Sequence, residues 1–157
     1  MNKMVRNLSI VILVLAAIAL IIGVAFVYQG ASKQALLTSI MKQEDVKLSD
    51  LGATGPKANE IIDNGETAQI AGDTVREHRH AIAPTYSDLL AGGKFDPTNP
   101  KDVTYAQAMN LENYLYMGAL SFGVTTIAMA AGGFMIVVAL ALGATGFVLL
   151  RAAKKLA

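Results

Sequence analysis

Two long stretches without a single charged residue constrain this chain more than anything else in it. The first, LSIVILVLAAIALIIGVAFVY, runs from Leu8 to Tyr28 with Ser9 as its only polar interruption. About 20 apolar residues in a helix cross a hydrocarbon core of roughly 30 Å. The second runs from Tyr114 to Leu150 and holds 37 residues. As one helix it would be about 55 Å long, more than one bilayer core needs. Arg151 marks one end, and about 20 residues back from it lies Ala131. The part from Tyr114 to Ala130 is then expected outside the hydrocarbon, apolar and in need of a partner.

The charges fall in three zones around these runs. Residues 1–7 hold Lys3 and Arg6, residues 151–157 hold Arg151, Lys154 and Lys155, and neither end has an acid. All 12 acids lie between Gln29 and Glu112 beside 8 bases, so that segment carries 8 − 12 = −4. Cytoplasmic flanks of membrane spans are enriched in Lys and Arg. Both basic termini are therefore expected in the cytoplasm, and the acidic segment outside it. A cleaved signal peptide has an apolar region of roughly 7–15 residues and a small-residue cleavage site. Leu8–Tyr28 is longer, and GVAFVYQGASK is a poor cleavage site, so the run reads as a retained anchor. The expected divisions are a cytoplasmic N-terminus (1–7), a first span (8–28) and an extracytoplasmic segment (29–110). A long helix containing the second span (111–150) and a cytoplasmic C-terminus (151–157) follow.

Small residues recur every seventh position in both runs. They are Ser9, Ala16, Gly23 and Gly30 in the first, and Gly118, Thr125, Gly132, Ala139 and Gly146 in the second. A seven-residue period keeps one helix face turned to a partner in a left-handed pair, and small residues let backbones approach in lipid. An antiparallel pairing would match Ser9 with Gly146, Ala16 with Ala139 and Gly23 with Gly132. The expected architecture is an all-α membrane protein: an antiparallel two-helix transmembrane hairpin extended into a stalk, with a small helical and loop extracytoplasmic segment. QGASKQALLTSIMKQE, after the first run, has the amphipathic pattern to continue the helix outward.

Within the acidic segment, KLSDLGATGPK reads as loop, with Pro56 opening a short helical turn through Ile62. Asn64 is placed to cap a helix through His80 whose apolar stripe is Ala68, Ala71, Val75, His78 and Ile82. Thr85-x-x-Asp88 would cap a short helix stopped at Gly92-Gly93, and Thr104-x-x-Gln107 would start the long last helix after the DPTNPKD break.

DTVREHRH, residues 73–80, contains both histidines. On a helix His78 and His80 lie about 200° apart and cannot chelate one ion together. Asp73, Glu77 and His80 do share a face, and Glu-x-x-His is the spacing used in carboxylate-bridged di-iron bundles. Those bundles need a second such motif, which this chain lacks. A metal or ligand site on Asp73, Glu77 and His80 is therefore the alternative reading, and a solvated polar face the leading one. Without cysteine, a thiolate site and a disulfide framework are excluded. No phosphate loop, His-Glu-x-x-His or nucleophile elbow is present, and an acidic middle segment argues against nucleic acid.

The order of parts resembles the small two-pass membrane proteins of actinobacteria and related bacteria often labelled "aromatic ring-opening dioxygenase". The likeness lies in the basic N-terminus and span, the polar segment with His, Thr85-Tyr86-Ser87-Asp88-Leu89, the Pro-containing break, and Phe122-Gly123-Val124 entering the second span. Ala83-Pro84 stands where that family usually has Gly-Lys. The resemblance implies two-pass topology. An iron dioxygenase needs about two His and one carboxylate converging, and His78 and His80 point apart. The expected function is thus a non-enzymatic membrane protein without a cofactor, an accessory or assembly subunit or a homo-oligomer. Its partners would be the lipid bilayer and other subunits or its own copies.

Overall fold

The computed structural model describes residues 3–155. The outermost residues of the two basic ends, 1–2 and 156–157, lie outside the described residues. The described chain is helical, in the order α1 (Lys3–Gln43), a 3-10 turn (Leu48–Leu51), α2 (Gly65–Ile82), α3 (Tyr86–Leu90) and α4 (Pro100–Lys155). Among the described residues there is no strand, only an isolated bridge between Lys47 and Ile61. α1 and α4 are long and apolar enough to cross a membrane. The chain divides into two compact units, Met1–Lys33 with Val124–Ala157, and Gln34–Gly123.

The first unit is built on the small residues. The buried residues of α1 are Ser9, Ala16, Gly23 and Gly30, one every seventh position. In the same unit α4 buries Thr125, Gly132, Ala139, Gly146 and Ala153 with the same period. Contacts run in antiparallel order. A Cβ placed on Gly30 would lie 2.9 Å from the Thr125 carbonyl oxygen, and one on Gly23 2.8 Å from that of Gly132. From the other side, a Cβ on Gly132 would meet the Gly23 oxygen at 2.6 Å. Here the two backbones touch without intervening side chains. Further along, Gly146 rests against Leu13 and Ile12, and Gly143 faces Ala16 at 4.0 Å. The Gly23–Gly132 pairing is as expected. Gly23 also meets Ile136 and Gly132 also meets Val27, each one turn on, so Gly146 beside Leu13 and Gly143 beside Ala16 keep the same offset along the pair.

The second unit has a conventional core. Leu48, Ile62, Ala68, Ala71, Val75 and Leu115 are buried together, and Ala83, Leu89 and Tyr105 form a second cluster. α1 ends where Asp45 adopts a left-handed conformation (φ 49°). The following segment pairs with residues 58–62, with Leu48 N donating to Glu60 O at 3.0 Å and Ile62 N to Val46 O at 2.9 Å. This lodges the fully buried Leu48. Residues 56–59 form a turn, not the expected helical start, because their backbone serves this pairing. Gly52 closes the 3-10 turn at φ 89°, and a Cβ there would strike the His78 ring at 2.5 Å.

α2 starts at Asn64 as expected: its Oδ1 accepts from Glu66 N at 2.9 Å and Thr67 N at 3.0 Å. Ala68, Ala71 and Val75 of the expected stripe are buried, Ile82 is half-buried, and His78 is exposed. Thr85 caps α3 through Asp88 N at 3.1 Å. α4 begins at Pro100, ahead of both Thr104 and residue 111. Proline needs no N–H partner at the first helical position, Asn99 Oδ1 accepts from Lys101 N at 3.0 Å, and Asp102 reaches back to Asp96 N at 2.9 Å. Thr104 donates to Pro100 O from inside the helix, so it caps nothing. Gly118 is half-buried against Met41 and Ala68 at 3.7 and 3.9 Å, an ordinary contact and not a close approach.

Overfilling the glycine contact should separate the helices of the first unit. Gly132→Leu places a side chain where even Cβ has no room, and overpacking of this kind costs about 1–3 kcal/mol. Gly133→Leu points into open space and serves as the matched control. Thermal melting in mild detergent should drop clearly for the first and stay level for the second. Equal melting of the two would refute the close-packed seam.

Candidate functional site

DTVREHRH forms the second half of α2, and the structure distributes its side chains to different neighbours. Asp73 accepts from the Tyr116 hydroxyl of α4 at 2.7 Å and from Gln69 Nε2 at 3.3 Å. Gly72 leaves room for the Tyr116 ring, whose carbons would lie 2.9–3.3 Å from a Cβ there. Burial, and then the hydrogen bond to Asp73, push the Tyr116 phenol up from its ordinary value, while Arg76 pulls it back. His80 Nε2 lies 3.1 Å from Arg79 Nη2. Glu77 is exposed. Among the described residues no group of three or more His, Asp or Glu is placed to hold a metal ion. Asp73, Glu77 and His80 therefore share a helix face without converging.

The residue between the histidines is the better connected one. Arg79 Nε donates to Glu112 Oε2 at 2.6 Å, and Nη2 reaches Oε1 at 3.4 Å. Its Nη1 donates to the hydroxyl of Tyr105, and the guanidinium lies 5.0 Å from the centre of that ring. The side chains of Arg79 and Glu112 are 12% and 9% exposed, so this ion pair is largely desolvated. The hydrogen bond to Glu112 raises the Arg79 pKa further above its ordinary value. Its donors are occupied by Glu112, Tyr105 and His80. The cluster thus ties α2 to α4 and presents no free cation to a substrate. Sequence reasoning missed this tie. Its one signal was Glu112, the lone acid just before the charge-free run.

The second unit also contains an apolar cavity of about 310 Å³. It is lined by Met41, Val46, Leu51, Ile62, Leu111 and Leu115, with Glu44 as its one charged wall. That volume is at the lower end of small-ligand sites, which usually carry several convergent polar groups. Comparison of the chain with protein-family profiles, with curated proteins and with solved structures gives no match. The functional argument therefore rests on the residues themselves.

Two outcomes test this site. Glu112→Ala leaves the Arg79 charge buried without its partner and should cost about 3–5 kcal/mol. Replacing both members with apolar residues (Arg79→Met with Glu112→Leu) should recover much of that loss. Denaturant unfolding followed by hydrogen exchange on α2 reads both, and a harmless Glu112→Ala would show the pair to be unimportant. The second concerns alkaline pH. The folded Tyr116 phenol titrates above its unfolded value of about 10, so the stability linked to it is complete below that pH. It is lost as pH rises through the folded value. Titration by phenolate absorbance should show a late-ionising component that is lost in Tyr116→Phe.

Proposed function

We propose that this chain is a non-enzymatic, two-pass integral protein of a bacterial cytoplasmic membrane, acting as an accessory or assembly subunit or as a homo-oligomer. The observation that carries the reading is where the apolar side chains point. Only 17% of the most apolar stretch of α1 and 11% of that of α4 is buried in the protein. Ile21, Ile127, Phe134 and Val137 are all more than 60% exposed. A core helix of a soluble protein hides such residues, since each buried apolar side chain is worth about 1.5–3 kcal/mol. These helices instead bury one small residue in every seven and turn their large side chains outward, as helices in lipid do.

Topology follows from charge. The bases at both ends would lie in the cytoplasm, the two helices would form an antiparallel transmembrane hairpin, and the acidic segment, about residues 29–110, would be extracytoplasmic. The resemblance to the actinobacterial two-pass proteins supports the same topology and supplies no activity. The subunit reading is supported by α4 beyond its span. Tyr114, Met117 and Leu120 are 71%, 62% and 69% exposed. Leu120 lies 31 residues from Arg151, about 46 Å of helix, well past a hydrocarbon core of roughly 30 Å. An uncharged apolar face of this kind suits another subunit or another copy.

The absence of cysteine makes the topology directly measurable. Single substitutions Lys94→Cys and Lys154→Cys would be tested with a membrane-impermeant maleimide on spheroplasts. Position 94 should label at once and position 154 only after permeabilisation. The reverse pattern would overturn the orientation, and equal labelling of both would overturn the two-pass reading. Purification in mild detergent should give an oligomer or a co-purifying partner, and a monomer alone would remove the assembly role.

A further inference from the structure

We propose that the basic end of the first unit binds the phosphate of an anionic phospholipid. This rests on the two-pass reading above and adds a ligand to it. Phe147, Arg151, Lys154 and Lys155 stand at spacings of four, seven and eight, one face of α4. The Arg151 guanidinium lies 4.3 Å over the Phe147 ring, which holds the cation beside an aromatic floor. Val148 and Ala152 complete that floor, and with Arg151, Lys154 and Lys155 they line an open cavity of about 550 Å³. α1 brings more charge to the same end. Gly146 packs on Leu13 and Ile12, and the antiparallel order sets the first turns of α1, with Lys3 and Arg6, beside the last turns of α4. Five bases thus belong to this end of the unit, three of them lining the cavity, and among the described residues no acid pairs with Arg151, Lys154 or Lys155.

Orientation of a span requires only a number of bases on one side. It does not require them to share one helix face above exposed apolar residues, with the guanidinium held on a ring. That arrangement matches a phospholipid, whose phosphate sits directly above its acyl chains. A guanidinium can take two phosphate oxygens at once and the ammonium groups a third. Basic pockets at the cytoplasmic ends of membrane helices recognise anionic head groups in this way, each base adding about fivefold to affinity. Free phosphate shares the charge but has no chains to lie on Phe147 and Val148.

The full chain is reconstituted in vesicles of phosphatidylcholine with an equal share of phosphatidylglycerol. Carbonate extraction first establishes that it is integral; failure at this step overturns the two-pass reading itself. Lipids retained after mild-detergent extraction are then counted by native mass spectrometry. The wild type should retain phosphatidylglycerol at least about tenfold over phosphatidylcholine. Arg151→Gln with Lys154→Gln and Lys155→Gln should abolish that preference. Arg151→Gln alone, which leaves four bases to hold the orientation, should reduce it several-fold. Lys94→Gln with Lys101→Gln should leave it intact. Equal retention of the two lipids by wild type, or an unchanged preference in the Arg151 variants, overturns the proposal. Displacement of the lipid by inorganic phosphate alone would assign the site to the free ion and overturn the lipid assignment.

Discussion

The contact between Gly23 and Gly132 is the one on which the first unit depends. Two helices whose outward surfaces are apolar gain nothing from hydrophobic burial when their surroundings are apolar too. What remains is dispersion, which falls off over fractions of an ångström. Backbones must therefore approach closely, and only residues with little or no side chain permit it. The period of seven follows from the same need. A straight helix drifts about 20° per heptad from a 3.5-residue repeat. Keeping Ser9, Ala16, Gly23 and Gly30 on one contact line over three heptads requires the two helices to wrap gently around each other.

The second unit is held by different physics. Leu48, Ile62, Val75 and Leu115 leave water on folding, and the usual hydrophobic gain applies. Short elements need more than burial, and here the help is polar and local. Asn64 and Thr85 cap α2 and α3, Asp102 holds the turn before α4, and Lys42 pairs with Asp63 at 3.2 Å. The Arg79–Glu112–Tyr105 cluster is the one strongly desolvated member of this set. A buried pair of this kind adds little net stability compared with apolar residues, but removing one partner is costly.

Local chemistry was legible in the sequence and distant pairing was not. The two long apolar helices, the seven-residue period and the caps at Asn64 and Thr85 each depend on residues within a turn or two of one another. The start of α4 was misplaced because two plausible caps compete. Thr104 has the better side-chain pattern, but Pro100 and Asn99 together fix φ and satisfy the first free N–H, so the helix starts there. His78 was assigned to the apolar stripe on periodicity alone. It sits over Gly52, and only a left-handed glycine 26 residues earlier makes that space. Arg79 and Glu112 are 33 residues apart, and no local rule links them. In DTVREHRH the histidines drew attention because of what histidine often does, while the arginine found the desolvated partner.

Both units face the same hazard, that a long, nearly featureless helix can dock in more than one register. A seven-residue slip of α1 along α4 would superimpose one small residue on the next. It would also set Gly23 opposite Thr125 or Ala139, whose Cβ atoms would occupy the space now filled by the Gly132 contact. The glycine pair is therefore the register mark as well as the closest approach. In the second unit a slip of α2 along α4 would move Arg79 away from Glu112, the only charge between Asp102 and Arg151. Both charges would then be left in a nearly dry site, at a cost of several kcal/mol. Single polar residues set register in this way in helical pairs. A chain with so little sequence complexity thus reaches one arrangement in each unit through two positions, one defined by the absence of a side chain and one by a single buried charge.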